Sequence, residues 1–325
     1  MASPSNVINR DALDASVTTF RAVMEEMFTS AGNDALVQAF CAEVAAENGQ
    51  SYQAVFQDFL GTWLEFSGAR EISPTRAYTL SISLSTYAQS MQIARKDLQY
   101  DKIGTVAARI RQFLSAQKSY KDALLHDMLA LNSYVGPLAY DGVFLYSTSH
   151  PNGPAGNQSN TGTAALSPIS FNSAYSGMTG LLRENGEPFR VVPETLTVGP
   201  GNREMGLSIT KGEFRSKPIA NTGVEAGAAV VATAAVSNVN AGLVELLVDE
   251  RLVGARALHW YLNGTAPGGA KGVIYLNGMP PTEQLDVDPN SASVQATDRF
   301  TYGLIADGKF AAGAWQATYF STGAA

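Results

Sequence analysis

The chain is short of the residues on which most binding and catalytic chemistry depends. In 325 residues it has one cysteine, Cys41, and three histidines, His126, His150 and His259. A single cysteine excludes an intrachain disulfide, so the fold stands on packing, and it fits a reducing compartment. No histidine has a second ligand at i+4 and no HExxH occurs, so no zinc site can be built by local spacing. Charge is scarce too. There are 22 Lys and Arg against 29 Asp and Glu, a net charge of −7, and charged residues make up 16% of the chain, where a soluble domain carries about 25%. The acidic balance argues against a protein that grips nucleic acid through phosphates. So little charge suits a chain that hides much of its surface against other subunits, where charged residues are depleted. No run of about 18 apolar residues exists, which argues against a membrane span. The start MASPSNVINRDALDAS lacks a cationic segment followed by an apolar one, so no secretory leader is expected.

What is present is the make-up of a folded globular chain with room for about two domains: 45% hydrophobic residues, 9% aromatics, 30 Gly and 14 Pro. From Ser16 to about Ala46 apolar residues recur at helical spacing, with an interruption at Gly32-Asn33, and predict two helices. Tyr78, Leu80, Ile82 and Leu84 alternate with polar residues, the period of a strand with one wet face, and Met91 and Ile93 suggest its returning partner. The expectation is a long hairpin between about Gly61 and Gln99. Ile103, Val106, Ile110, Phe113, Leu114, Leu124, Met128 and Leu131 then form one stripe, predicting a single spine helix over 101–131 capped by Asp101. From Gly142 to Leu182 there is no Lys, Arg, Asp or Glu, and from Pro218 to Val244 only Glu225 is charged. Ser167-Pro168 opens a helix. Short strands are expected near 189–192, 196–198, 243–248, 258–262, 273–276, 300–305 and 315–320, which makes the class α+β with one long helix.

The search for chemistry finds near misses. Ser147, Ser149 and His150 place hydroxyls near an imidazole, but no G-x-S-x-G elbow accompanies them; a Ser/His hydrolase is the weakest of the readings carried forward. Gly303 to Lys309 has the spacing of a phosphate-binding loop, yet Phe310 stands where a magnesium-binding hydroxyl is required. Asp307-Gly308 predicts a tight hairpin turn instead. Asp286, Asp288 and Asn290 mimic half of a calcium loop but lack its glycine and its bidentate glutamate. No catalytic, cofactor-binding or metal site emerges, and the chain is not expected to be an enzyme.

Five stretches in order carry a resemblance. They are Trp63-Leu64-Glu65-Phe66 with Gly68 and Arg70; Arg95 to Gly104; Tyr140-Asp141-Gly142-Val143-Phe144-Leu145-Tyr146-Ser147 closed by His150-Pro151; Pro193 to Val198; and Tyr302-Gly303, Asp307-Gly308 and Trp315-Gln316. Together they resemble the major head (capsid) subunit of Mu-like tailed phages, members of the Hong Kong 97 (Johnson) capsid fold. Where that family often has two acidic residues before the helix, this chain has Tyr100-Asp101.

The resemblance implies a major capsid protein that self-assembles into pentamers and hexamers of an icosahedral head shell enclosing double-stranded DNA, made in the bacterial cytoplasm and found in the virion. It implies an N-terminal arm (1–60), an extended hairpin loop (61–99), a peripheral domain with the spine helix (100–133), an axial domain (134–242) and returning peripheral strands (243–325). Trp63 and Phe66 are the expected interface anchors, because buried aromatics carry much of such binding. Arg70, Arg76 and Arg95 are expected to bridge to acidic residues across the seam. The short N-terminus leaves no room for a fused scaffolding segment, so a separate scaffold protein is expected, with a portal and a decoration protein as further partners. An encapsulin-like nanocompartment shell would share the fold and differ by holding a cargo peptide.

Overall fold

The computed structural model describes residues 10–29, 35–46, 51–59, 75–100, 104–130, 137–218 and 233–324. The first helix, α1 (Arg10–Thr29), turns Leu13, Ser16, Phe20 and Val23 inward. The second, α2 (Ala35–Phe40), is short, and the chain passes directly into a strand, β1 (Cys41–Ala45). The spacing predicted helix to about residue 46. What overrides it is a five-pair parallel ladder, Cys41↔Val273 to Ala45↔Asn277, a tertiary gain that outweighs local helix propensity.

The predicted hairpin exists with different strands. β2 (Ser51–Phe59) and β3 (Thr75–Ser83) pair antiparallel from Ser51↔Ser83 to Phe59↔Thr75 as a two-stranded ribbon. The alternation read from Tyr78 to Leu84 is there, with Ile82 buried between exposed Ser81 and Ser83. Met91 and Ile93, however, belong to β4 (Ser85–Ala94), which pairs with β12 (Arg299–Ala312) through Ile93↔Phe300 and Met91↔Tyr302. The reason is burial. Ile93 and Phe300 are 1% and 0% exposed in a core shared with α1, a better place for them than a wet ribbon.

With β11 (Val273–Asp286) these strands make a sheet in the order β1-β11-β12-β4. Asp307 and Gly308 lie inside β12, opposite Met279 and Asn277 and next to Thr86 and Ser85, so the expected turn is continuous strand. Glycine is needed at 308 for space: a Cβ there would sit 2.5 Å from the Tyr275 hydroxyl.

The expected spine helix is two. After α3 (Arg95–Gln99), α4 (Thr105–Lys118) and α5 (Tyr120–Ala130) meet at Ser119, where φ is −91° and ψ 22°. Arg251 Nη2 donates to Ser119 Oγ at 3.1 Å, a side-chain bond at the point where helical continuity fails. Val106, Ile110 and Leu114 of α4 pack on α1 and the first sheet, while Leu125, Met128 and Leu129 of α5 enter the larger core.

The second sheet has the order β5-β13-β10-β6-β9, built from β5 (Thr161–Gly162), β6 (Val192–Val198), β9 (Glu245–Val248), β10 (Trp260–Thr265) and β13 (Thr318–Ser321). Of the short strands expected near 189–192 and 196–198 the structure has one, β6, which begins at Val192; residues 189–191 are not strand. On this sheet lie α6 (Pro168–Thr179), opened by a reciprocal Ser167/Ser170 capping box, and α7 (Arg203–Thr210). A second ribbon, β7 (Phe214–Pro218) with β8 (Thr233–Ser237), follows α7, and α8 (Ala292–Thr297) precedes β12.

Candidate subunit-contact surfaces

The β2–β3 ribbon divides into an inner and an outer face. Ala54 and Ile82 are buried against Ile274 and Leu276 of the first sheet. Phe56 stacks on Tyr140 with centroids 4.6 Å apart, Tyr78 leans on the same ring at 5.3 Å, and the Tyr78 hydroxyl donates to Glu184 Oε1 at 2.5 Å. The outer face carries Ser51, Gln53 and Val55 opposite Ser83, Ser81 and Thr79, all exposed, with Val55 at 52%. An isolated two-stranded ribbon is marginal in water. This one is held on one side only.

Of the residues expected at a subunit seam, Trp63, Phe66 and Arg70 lie outside the described residues. Arg76 has its backbone in β3 opposite Asp58, and its side chain is outside the description. Arg95 opens α3 and meets Asp298 of its own chain at 3.4 Å while remaining 32% exposed.

Tyr140, the ring that receives the ribbon, belongs to a polar knot that sequence reading did not assemble. Gln316 Nε2 donates to the Tyr140 hydroxyl at 2.6 Å. Asp141 Oδ2 lies 2.6 Å from His150 Nδ1, and the imidazole, fully buried, stacks on Trp315 with centroids 4.1 Å apart and planes 2° from parallel. Asn160 gives its amide protons to the carbonyls of Leu145 and Trp315, so its oxygen accepts from the Ser147 amide at 2.9 Å and faces His150 Nε2 at 3.2 Å. The signal was available: Tyr140 to His150 and Trp315-Gln316 were singled out separately, but nothing in their spacing places them together.

The same geometry disposes of the hydrolase. Both ring nitrogens of His150 face Asp141 and Asn160, and Ser149 Oγ instead accepts from Asn157 Nδ2 at 2.7 Å. Gly303 to Phe310 is strand, not a phosphate-binding loop. In the calcium-like segment Asp286 accepts from the hydroxyls of Ser291 and Ser293, and those bonds hold its carboxyl below the usual carboxylate range; Ser291 in turn caps α8. Among the described residues no three His, Cys, Asp or Glu side chains gather as a metal set, and no helix is long and apolar enough to cross a membrane.

Two other surfaces carry exposed apolar side chains. The outward positions of α6 are Ile169, 81% exposed, then Asn172, Ser173, Ser176 and Gly177. Beyond α7, exposed Phe214, Val239 and Leu243, at 62%, 77% and 43%, surround Asn238, whose amide ties down the carbonyls of Ser208, Ile209 and Gly212.

Comparison with known proteins identifies the fold. A chain of Mycobacterium phage Patience superposes with a TM-score of 0.52 at 10% identity, over 99% of this chain and 90% of that one. The capsid of bacteriophage JBD30 decorated with minor capsid protein trimers gives 0.51 at 15% identity, over 66% of this chain and 89% of that one. The capsid of cyanophage P-SCSP1u gives 0.50 at 10% identity, over 87% and 86%. The shared fold is the Hong Kong 97 type. No curated protein sequence matches the chain. A family described as phage capsid protein matches residues 77–317, most of the chain, so the protein belongs to the phage capsid protein family and is a structural shell subunit, not an enzyme.

Proposed function

We propose that this chain is the major subunit of the icosahedral head of a Mu-like tailed phage, assembling as hexamers and pentamers around double-stranded DNA. The observation that carries the reading is the β2–β3 ribbon, anchored at its base by Phe56, Tyr78 and Ile82 and bare on its outer face. Such a ribbon stabilises an assembly by laying its free face and edges on an adjacent subunit. In this reading the extended loop is the ribbon of residues 51–83 in place of 61–99, the chain before β1 is the arm, and the β1-β11-β12-β4 sheet with α4 and α5 is the peripheral domain. The β5-β13-β10-β6-β9 sheet is the axial domain, so it takes β9, β10 and β13 from the segment 243–325 that was expected to return as peripheral strands. Trp63 and Phe66 anchor the loop on the neighbour; Arg70, Arg76 and Arg95 stand along the seam, where each exposed ion pair contributes at most about 1 kcal/mol. Support for the Mu-like assignment is that its signature residues Tyr140, Asp141, His150, Trp315 and Gln316 converge on one knot.

A net charge of −7 suits a container through which a duplex must pass, since a wall that held phosphates tightly would impede passage. The shell assembles in the bacterial cytoplasm with a separate scaffold protein, a portal and a decoration protein. The test is negative-stain electron microscopy of the purified chain, alone and with the scaffold protein. Closed shells, tubes or sheets of rings support the reading. A monomer under both conditions overturns it; a Trp63→Ala/Phe66→Ala variant that assembles as the parent does would remove those two residues as anchors.

A further inference from the structure

The β2–β3 ribbon does not close fully on the body beneath it. A cavity of about 260 Å³ lies at its base, lined by Phe56 and Tyr78 from the ribbon and by Tyr140, Glu184, Phe189 and Gln316 from the body. Most of the remaining lining is small and apolar. Glu184 and Gln316 are buried, at 7% and 3% exposure. No Lys, Arg or His stands among the described lining residues; Arg183, whose guanidinium lies 5.6 Å from the centre of the Phe189 ring, is outside the lining.

Gln316 says what kind of group the cavity takes. Its Nε2 donates to the Tyr140 hydroxyl, while its buried Oε1 has no hydrogen-bond partner among the described residues. A buried acceptor left unpaired is costly, and one that borders a cavity calls for a donor inside it. Glu184 calls for the same. It accepts from the Tyr78 hydroxyl, and a carboxylate has about four acceptor positions, so the bonds it makes leave room for a further donor. Its charge repels an anion, and aromatic walls favour a cation.

We infer that this cavity is a binding site for a primary ammonium group on a short apolar stem. The ammonium, with its three donors, bonds to Gln316 Oε1 and to the Glu184 carboxylate, and the stem lies among the rings. The volume is below the roughly 300 Å³ at which common ligand pockets begin, which limits the stem to a few carbons. The same chemistry is offered by a free alkylamine and by a lysine side chain. Because the walls come from both the ribbon and the body, an occupant ties one to the other. Binding needs only the folded chain, so it stands or falls apart from the shell reading.

The test is calorimetric titration of the purified chain with n-butylammonium, with n-butanol and butyrate as the neutral and anionic counterparts. The ammonium is expected to bind at least about tenfold more tightly than the alcohol, and butyrate not at all. Glu184→Gln, which keeps an acceptor for Tyr78, is expected to lower the ammonium affinity about tenfold or more at an unchanged unfolding midpoint. If that variant fails to fold, Gln316→Met, which removes the free acceptor at similar volume, is expected to weaken binding in the same direction. Equal binding of amine and alcohol, or an affinity that neither substitution changes, would overturn the inference, as would the absence of amine binding. Nα-acetyl-lysine amide separates the two sources: tighter binding than n-butylammonium supports a side chain from another chain, weaker binding a free amine. Occupancy is expected to slow amide exchange in β2 and β3 and leave β10 unchanged. Exchange unaltered by bound amine would overturn the tie between ribbon and body.

Discussion

The molecule buries two His–Asp pairs at the same 2.6 Å, and their settings differ. His150 and Asp141 are nine residues apart in a stretch with little regular structure, and the imidazole is also held by Asn160 and by the Trp315 face. His126 and Asp249 join α5 to the turn after β9; Asp249 Oδ1 also accepts from the Arg251 amide, as Asp141 Oδ1 does from the Val143 amide, but neither ring nitrogen of His126 makes a hydrogen bond of regular geometry among the described residues. The first pair replaces secondary structure in a segment that has almost none. The second couples two elements that are already formed. A polar pair is therefore expected to matter in proportion to the regular structure missing around it.

The sharpest way to break that comparison is His150→Ala. It removes the partner of a buried carboxylate, a loss of about 3–5 kcal/mol, together with a ring stack worth about 1 kcal/mol. The urea midpoint followed by tryptophan fluorescence should fall accordingly. His126→Ala should cost less, about 1–3 kcal/mol, because its ring makes neither the amide-oxygen contact nor the ring stack that His150 has, while each aspartate keeps a backbone amide. If the order reverses, local structure is not what makes the first pair important. Tyr140→Phe is expected to cost about 1 kcal/mol by leaving Gln316 Nε2 without its acceptor. Tyr140→Ala, which also removes the ring under Phe56 and Tyr78, should in addition loosen the ribbon base, read as faster amide exchange in β2 and β3 than in β10.

Alkali should sharpen the comparison further. Burial raises the Tyr146 phenol well above its ordinary value, with Tyr261 beside it adding to the effect, and burial raises Tyr261 as well. Both rings lie against Phe320, in the same core as Trp315. An acid whose folded value is raised holds its proton in the fold and loses it on unfolding. Stability is then intact below the unfolded value, near 10, and falls as pH rises above it. A pH series of the midpoint should slope downward above about 10, and Tyr146→Phe should make it shallower while Tyr261 and the other buried phenols keep the remainder. An unchanged slope would show that other groups carry the alkaline loss.

The sequence made legible what has a local period. The ribbon strand at Tyr78 to Ile82, the Ser167 cap of α6 and the α1 stripe appear where their spacing put them, and so does the α+β class. What it did not show was pairing at a distance. Ile93 was read as the return of a strand eleven residues earlier, but its partner, Phe300, is two hundred residues away, and no periodicity encodes that. The Ser119 break was invisible because the stripe continues across it; its contact, Arg251, comes from the far side of the chain. Asp307-Gly308 misled for the same reason, since its glycine answers to Tyr275 across the sheet. Trp63, Phe66 and Arg70 rest on the resemblance alone.

The smallest expected effect belongs to the acid side and tests the second pair. His259 is half-buried, edge-on to Phe320 at 5.1 Å, and its value is lowered first by burial and then by the neighbouring Arg256. Arg256 also reaches the His126 carbonyl at 3.4 Å, so protonating His259 places a second cation near the end of α5 where the His126–Asp249 pair sits. A base whose folded value is lowered is neutral in the fold and takes up a proton on unfolding. Its contribution is complete above the unfolded value, near 6.5, and is lost as pH falls through it. Half-exposed and screened, it amounts to a fraction of a kcal/mol. His259→Phe should remove that acid slope and leave the alkaline one unchanged. If the slope survives, the acid sensitivity originates elsewhere and the coupling through Arg256 is not its cause.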